Sequence, residues 1–473
     1  MSSGSLQLQN SILPATPGVT NGAHWKPKFL SLQCGRRWNP RPGASKLVAF
    51  ASASSAAGSG REYSEELLER IKEKGKKKIA GIDQDELVDD PEHLADPDSC
   101  FCEFNGVKIH HKVYDAVVSQ QHESSNQSLN LNIPMILLHG FGASIFSWNR
   151  ALKPLAEATG SRVLAFDRPA FGLTSRVDLS SLNVLSGGED ARPLNPYSMA
   201  FSVLATLYFI NFLAADKAIL VGHSAGSLVA VNTYFEAPER VAALILVAPA
   251  IFAPNPPPRE NQPKDEKSNF EKAGENNLIS RLFTSLSRIA KYIGEVIIRM
   301  VTGMTKMLSS LYKKVLSTIL RSALGIMLVR MLIDKFGISA IKIAWHDQKQ
   351  ITDHVLQGYT KPLRSKGWDR ALVEYTVAML LDVESESKPP IGKRLHEISC
   401  PVLIITGDND RIVPSWNAKR LSRVIPGSVL KVIKHCGHLP HEEKVEEFVS
   451  VVRNFLLKTL GSSEEQLFQQ ALV

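Results

Sequence analysis

From Phe101 onward the chain alternates between two hydrophobic rhythms. Short apolar runs occur at Met135 to Leu138, Val163 to Phe166, Ile219 to Val221 and Leu244 to Ala248, and apolar and polar residues alternate from Val107 to Tyr114. Runs of this length predict strands. Between them lie helix-period stretches at Trp148 to Glu157, Met199 to Ala214 and Ser227 to Glu236. The rhythm resumes after Pro401 with Val402 to Thr406, Ala418 to Val424, Val429 to Ile433 and a closing helix from Val445 to Lys458. Apolar runs separated by helices predict an α/β fold, a mostly parallel sheet with helices on both faces, because a strand covered on both sides is apolar throughout. Pro193 to Ala215 is uncharged and long enough to span a bilayer. Asn195, Pro196 and Asn211 sit within it and a buried strand follows, so a core helix over the sheet is expected.

The two strand-bearing halves, 101–255 and 361–473, flank an insertion at 256–360 that is expected to form a helical lid. Pro254, Pro256, Pro257 and Pro258 end the first half, and a polar loop runs to about Asn277. From Ile279 to Val315 apolar residues then recur at helical spacing. Between Arg281 and Lys335 ten Lys and Arg residues stand against only Glu295 and Asp334. No uncharged window there reaches membrane-spanning length, whereas a basic amphipathic helix suits an anionic lipid surface. A lid whose apolar face packs on the catalytic core and whose basic face is solvated fits the same pattern.

Composition adds a location for the charge. The net charge is +8, but residues 1–60 hold Lys26, Lys28, Arg36, Arg37, Arg41 and Lys46 with no acid, so removing their six leaves +2 for the rest. A general polyanion-binding surface is therefore not supported, and no nucleic-acid partner is expected. Residues 1–60 are rich in Ser, Pro and Gly, lack a long apolar core and end in a small-residue run from Val48 to Ala57. These are features of an organelle transit peptide, closer to a plastid signal than to an Arg-rich mitochondrial helix. Residues 61–100 form a charged segment, with a short helix over Glu65 to Lys78 and an acidic linker to Asp98. The five cysteines are scattered, without the paired spacing of a zinc site or disulfide framework.

Gly222-His223-Ser224-Ala225-Gly226 is a G-x-S-x-G run. The bare pattern turns up by chance in roughly one chain of this length in six, so its context decides. Here an apolar strand precedes it and a helical run follows, the strand-turn-helix setting of a nucleophile elbow. A serine hydroxyl needs a base to take its proton, and usually a carboxylate to orient that base. Gly407-Asp408-Asn409-Asp410 follows the strand Val402 to Thr406, and Cys436-Gly437-His438 follows Val429 to Ile433, so both loops lie at strand ends. His438 is the expected base, with His435 and His441 as local rivals; His223 is expected to pack. Asp408 and Asp410 both satisfy the spacing for the acid. His139-Gly140-Phe141-Gly142-Ala143-Ser144 follows Met135 to Leu138, so the N–H groups of Phe141 and Ala225 are candidates to hold an oxyanion.

HGFGAS, Asp167-Arg168-Pro169-Ala170-Phe171-Gly172, GHSAG, GDNDRIVP and CGHLP occur in this order, and from about Phe101 to Leu457, the insertion apart, the chain resembles the α/β-hydrolase superfamily. The resemblance implies the α/β-hydrolase fold with a lid between two halves, Ser224 as nucleophile, His438 as base, and Asp410 rather than Asp408 as the acid. Ala170 departs from the glycine usual in the second motif. A serine at position 224 argues against the haloalkane dehalogenases and epoxide hydrolases, which use aspartate there. With the N-terminal signal, the chain resembles the plant chloroplast hydrolases that include pheophytinase and chlorophyll dephytylase. That likeness implies a hydrophobic ester, such as a lipid or phytyl ester, cleaved without metal or organic cofactor at the periphery of a plastid membrane. Carbon–carbon bond hydrolysis, thioester hydrolysis or acyl transfer by the same triad, or a low-turnover ligand receptor on this fold, are the competing expectations.

Overall fold

The structure, a computed structural model, describes residues 78–115, 131–179, 194–252, 308–381 and 389–461, together with Lys291. The expected transit segment, the helix over Glu65 to Lys78 apart from its last residue, the polar loop to Asn277 and the amphipathic run before Leu308 lie outside the described residues. The strands are β1 (Lys78–Ile79), β2 (Ile82–Asp83), β3 (Cys100–Phe104), β4 (Val107–Tyr114), β5 (Met135–Leu138), β6 (Val163–Phe166), β7 (Ala218–His223), β8 (Val241–Val247), β9 (Val402–Gly407) and β10 (Val429–Ile433). The first helices are α1 (Asn149–Thr159), α2 (Met199–Phe212) and α3 (Gly226–Glu236). In the insertion follow α4 (Leu308–Arg321), α5 (Ala323–Ala344), α6 (Asp353–Thr360) and α7 (Trp368–Leu381). The chain closes with α8 (Ser415–Val424), α9 (Pro440–Glu443) and α10 (Val445–Leu460).

β3 to β10 form one eight-stranded sheet in the order β10-β9-β8-β7-β5-β6-β4-β3. β4 pairs antiparallel with β3 and β6, and every other pairing is parallel. The alternation of side chains along a strand divides its apolar residues between two cores. Ile136 and Leu138 of β5 join Phe201, Phe209, Val229 and Leu421 of α2, α3 and α8 on one face. Met135 and Leu137 join Leu155, Val452 and Leu456 of α1 and α10 on the other. α2 is thus a core helix, started by Ser198, whose hydroxyl accepts the Phe201 N–H. From β5 the chain moves outward to β6, then returns to lay β7 on the opposite side of β5. Such a reversal opens a crevice beyond the carboxyl ends of the two strands.

Two boundaries differ from the sequence expectation. The helical insertion continues past residue 360, because α7 is tied back to α4 and α5 by Arg321–Glu374 and Arg330–Asp369 ion pairs, each 2.7 Å. The acidic stretch before Asp98 is not a bare linker. β1 and β2 form a hairpin whose Ala80 N–H donates to Asp334 of α5, and Asp96 pairs with Lys112 and Lys361. Its carboxylates find cations on the core and on the insertion, which a scan of local periodicity does not register.

Candidate active site

β7 ends in a turn held by backbone constraint. Ser224 sits at φ +50°, the left-handed region that a residue with a Cβ adopts at a cost, and its N–H donates to Val247 O at 2.9 Å. The turn closes only because its neighbours lack side chains. A Cβ on Gly226 would lie 2.1 Å from Leu138 O, and one on Gly222 would lie 2.6 Å from Gly226 O. α3 therefore starts directly under Ser224, with the N-terminal end of its dipole toward the hydroxyl.

The acid and the histidine come from the next two strand ends. Asp410 Oδ2 accepts from His438 Nδ1 at 2.8 Å, while Oδ1 accepts the N–H groups of Ile412 and Val413, both at 2.8 Å. Three donors on one carboxylate fix its plane, and among the described residues Nε2 of His438 has no hydrogen-bond partner. Asp408 turns the other way, taking the Cys436 N–H and the Asn409 side chain. Among the described residues no hydrogen bond joins Ser224 Oγ to His438. Their approach is set by His223, which donates Nε2–H to His438 O at 3.0 Å and lies 4.8 Å, ring to ring, from the His438 imidazole. A long nucleophile–base contact is usual in a site holding no substrate.

His223 is therefore more than the packing residue that the sequence suggested, since it ties the elbow to the base loop. His441 lies behind it, tilted against Trp148 at 4.2 Å between ring centroids. Burial, reinforced by the neighbouring imidazoles, holds His223 well below the usual histidine range and His441 down at about 3. Both rings stay neutral at physiological pH.

The turn after β5 faces the elbow, since a Cβ on Gly140 would lie 3.1 Å from Ser224 Cβ. Arg168 clamps this turn, its N–H donating to His139 Nε2 at 3.0 Å and its Nη2 to His139 O at 3.2 Å. His139 in turn donates Nδ1–H to Gly140 O at 2.8 Å, and burial pushes its imidazole down to about 4. Arg168 belongs to a motif the sequence displayed, but only the fold assigns it this positioning role. The Phe141 side chain is 58% exposed and meets Phe171 and Tyr375 of α7, giving an aromatic wall contributed by both core and insertion.

The base loop is also braced from the insertion. The His438 N–H donates to Ala344 O, the last residue of α5, at 2.7 Å. Glu443 accepts the Gly437 N–H and the His346 N–H, each at 2.8 Å. No sequence signal marked Ala344 or Glu443.

A separate cavity of about 490 Å³ is lined by Lys112, Phe146, His354, Lys361 and their neighbours, and contains none of Ser224, Asp410 and His438. At its wall His110 and Asp167 belong to a second chain, Ser99–His110–Asp167, with contacts of 2.8 and 2.6 Å. Asp167 also takes the N–H groups of Ile145 and Leu173, both at 2.7 Å, and Ser99 takes that of Asp96. Burial opposes ionisation of Asp167, but His110 and the N–H donors outweigh it and hold the carboxyl down at about 2. These bonds tie loops together and make the chain a structural clamp.

Residues 135–451 match the model of the alpha/beta hydrolase family. A 2-hydroxy-6-oxononadienedioate/2-hydroxy-6-oxononatrienedioate hydrolase of Klebsiella pneumoniae is 26% identical over 327 residues, which cover 68% of this chain and 87% of that protein. An uncharacterized hydrolase of Bacillus subtilis, YugF, is 22% identical over 326 residues, covering 68% and 89%. Among solved structures, the meta-cleavage product hydrolase of Pseudomonas fluorescens matches with a TM-score of 0.45 and 17% identity, covering 76% of this chain and 97% of that one.

Proposed function

The chain belongs to the alpha/beta hydrolase family, and from that premise we propose that it is a serine hydrolase of hydrophobic esters, working through an acyl-enzyme on Ser224. The observation that carries this reading is the Asp410–His438 pair, 2.8 Å apart and buried, joined through His223 to the strained elbow that presents Ser224.

In this mechanism His438 Nε2 takes the Ser224 hydroxyl proton as Oγ attacks the ester carbonyl. The N–H groups of Phe141 and Ala225 hold the oxyanion, each donor being worth about 3 kcal/mol of barrier. Collapse of the tetrahedral intermediate breaks the carbonyl–alkoxy bond, and His438 returns the proton to the leaving alcohol. Water then attacks the acyl-enzyme, with His438 again taking and returning the proton, to release the acid and free Ser224. Asp410 holds the imidazole and compensates its positive charge. Every proton and bond is accounted for by these three side chains, the ester and one water.

The aromatic wall of Phe141, Phe171 and Tyr375 supports an apolar substrate. A lipid or prenyl ester such as a phytyl ester, including a chlorophyll-derived one, fits it, as does the plastid-like composition of residues 1–60. On this reading the protein works in the plastid, peripheral to a membrane, in the manner of the pheophytinase and chlorophyll dephytylase group. The names of the relatives favour a second reading, hydrolysis of a 2-hydroxy-6-oxo acid by the same residues.

The test is labelling by a fluorophosphonate probe, followed by product analysis on plastid lipid and pigment extract and on a 2-hydroxy-6-oxo dienoate. Ser224→Ala is expected to abolish labelling and to lower kcat on the order of a millionfold. Released phytol or fatty acid supports the ester reading. Turnover of the oxo acid alone replaces it with the second, and an unlabelled folded protein removes both.

A further inference from the structure

α4 and α5 carry an apolar surface that the core does not use. Of the 22 residues of α5 only Gly325 and Ala344 are buried. Twelve large apolar side chains of the pair are 40% or more exposed, among them Leu311, Tyr312, Ile319, Leu324, Met327 and Phe336, against eight elsewhere among the described residues. A concentration of this kind marks an interaction surface.

Charge decides between occupants. From Leu308 to Ala344 the chain has Lys313, Lys314, Arg321, Arg330, Lys335 and Lys342 against Asp334 alone. Arg321 and Arg330 pair with α7, while Lys314, Lys335 and Lys342 have no ion pair among the described residues. A second copy would bring like charge to this face, whereas an anionic bilayer supplies both hydrocarbon and negative headgroups. No single described helix is long and apolar enough to cross a membrane; α4 and α5 reach that length and hydropathy only as a pair, and the pair is bent by 68°. The bend has a cause. Ser322 interrupts the helix, donating to Ile319 O at 2.6 Å and capping Gly325 N–H, and a Cβ on Gly325 would lie 2.1 Å from Leu320 O. The shape suits an element lying in one leaflet.

The far end of α5 leaves the surface. Trp345 is wholly buried beside Leu439, Ala344 O holds the His438 N–H, and Glu443 bridges His346 to Gly437. We propose that the bent pair α4–α5 is a docking element for an anionic lipid surface, and that through Ala344 its seating steadies the loop carrying His438. The proposal rests on the serine-hydrolase reading and names both the partner and the regulation of that site.

The experiment uses the full chain with vesicles of phosphatidylcholine alone or mixed with phosphatidylglycerol, and with a short water-soluble ester as substrate. The parent protein is expected to sediment with the mixed vesicles and to gain a few-fold in kcat on the soluble ester at unchanged KM. Lys314→Glu, Lys335→Glu and Lys342→Glu together should weaken binding on the order of a hundredfold. Leu311→Ser, Met327→Ser and Phe336→Ser together should abolish both binding and the gain in kcat, with activity in buffer unchanged. Absence of vesicle binding overturns the docking element, as does dimerisation through this face in lipid-free buffer, and binding without a change in kcat overturns the coupling. Fluorophosphonate labelling of the same samples separates the two readings: labelled Ser224 with no lipid binding sinks only the docking element, and unlabelled protein that binds lipid sinks the hydrolase.

Discussion

Glu442 shows how much one buried group controls. It accepts a hydrogen bond from Tyr359 and is 3% exposed, and burial pushes its carboxyl up to about 8. Because the folded chain binds this proton more tightly than the unfolded one, the contribution to stability is complete below the ordinary value of 4.5 and is lost as pH rises through about 8. Glu442→Gln keeps an acceptor for Tyr359 without the charge. The variant is expected to be more stable than the parent above about pH 7, by a few kcal/mol, and to show no such decline in urea midpoint across that window. A parallel decline in both proteins would assign the pH dependence elsewhere. Ala170 makes a related point. It stands at φ +77°, where the family pattern has glycine, yet its methyl is packed with Phe171, Tyr197 and Tyr375. A left-handed alanine costs about 1 kcal/mol and a buried methyl returns about as much. The departure from the motif is therefore close to neutral in energy.

At the scale of elements, glycines separate a contact that must be close from one that is merely unfilled. Gly226→Ala would drive α3 away from β5, and a loss of more than about 2 kcal/mol is expected. Gly337, in the middle of α5, meets nothing nearer than 3.6 Å. Gly337→Ala should raise stability by about 1 kcal/mol through helix propensity alone. Denaturant midpoints of the two variants shifting in the same direction would refute this contrast. The sequence displayed most of these elements, since β5, β6 and β10 begin and end where the apolar runs do and α2 starts at the expected Met199. It also displayed the three strand-end loops on which Ser224, Asp410 and His438 lie. Choosing Asp410 over Asp408 was beyond spacing, because the choice depends on the Ile412 and Val413 N–H groups holding one carboxylate inward. The struts from Ala344 and Glu443 were illegible for a simpler reason: Glu443 and His346 are 97 residues apart, and one end of each contact is a backbone atom common to every residue. The apolar period of the insertion was visible, but period does not tell which way a helix faces.

For the whole molecule, the neutral buried histidines set an acid limit. Burial pushes His111 and His139 down to about 4 and His441 to about 3, and holds His223 well below 6.5. Folded values depressed in this way give stability that is present above 6.5 and lost as pH falls toward them. The unfolded chain takes up about four protons over this range that the folded one refuses, against those taken preferentially by folded Glu442 and Glu443. Stability should therefore fall by about 3 kcal/mol per pH unit near pH 5. Urea titrations at several pH values measure this slope, and a flat midpoint between about pH 7 and 5 would show that these rings are not neutral in the folded state. The insertion has one more consequence. β8 and β9 are parallel neighbours, Val247 pairing with Ile405, so the chain needs only a crossover back over the sheet between them, and most of the insertion exceeds that requirement. Such a segment would be freely exchangeable between relatives, a cassette that changes substrate while the catalytic machinery is inherited intact. The bond from His438 N–H to Ala344 O forbids that freedom. Any graft in place of this lid must bring its own acceptor for the histidine, and lid and base loop are bound to evolve as a pair.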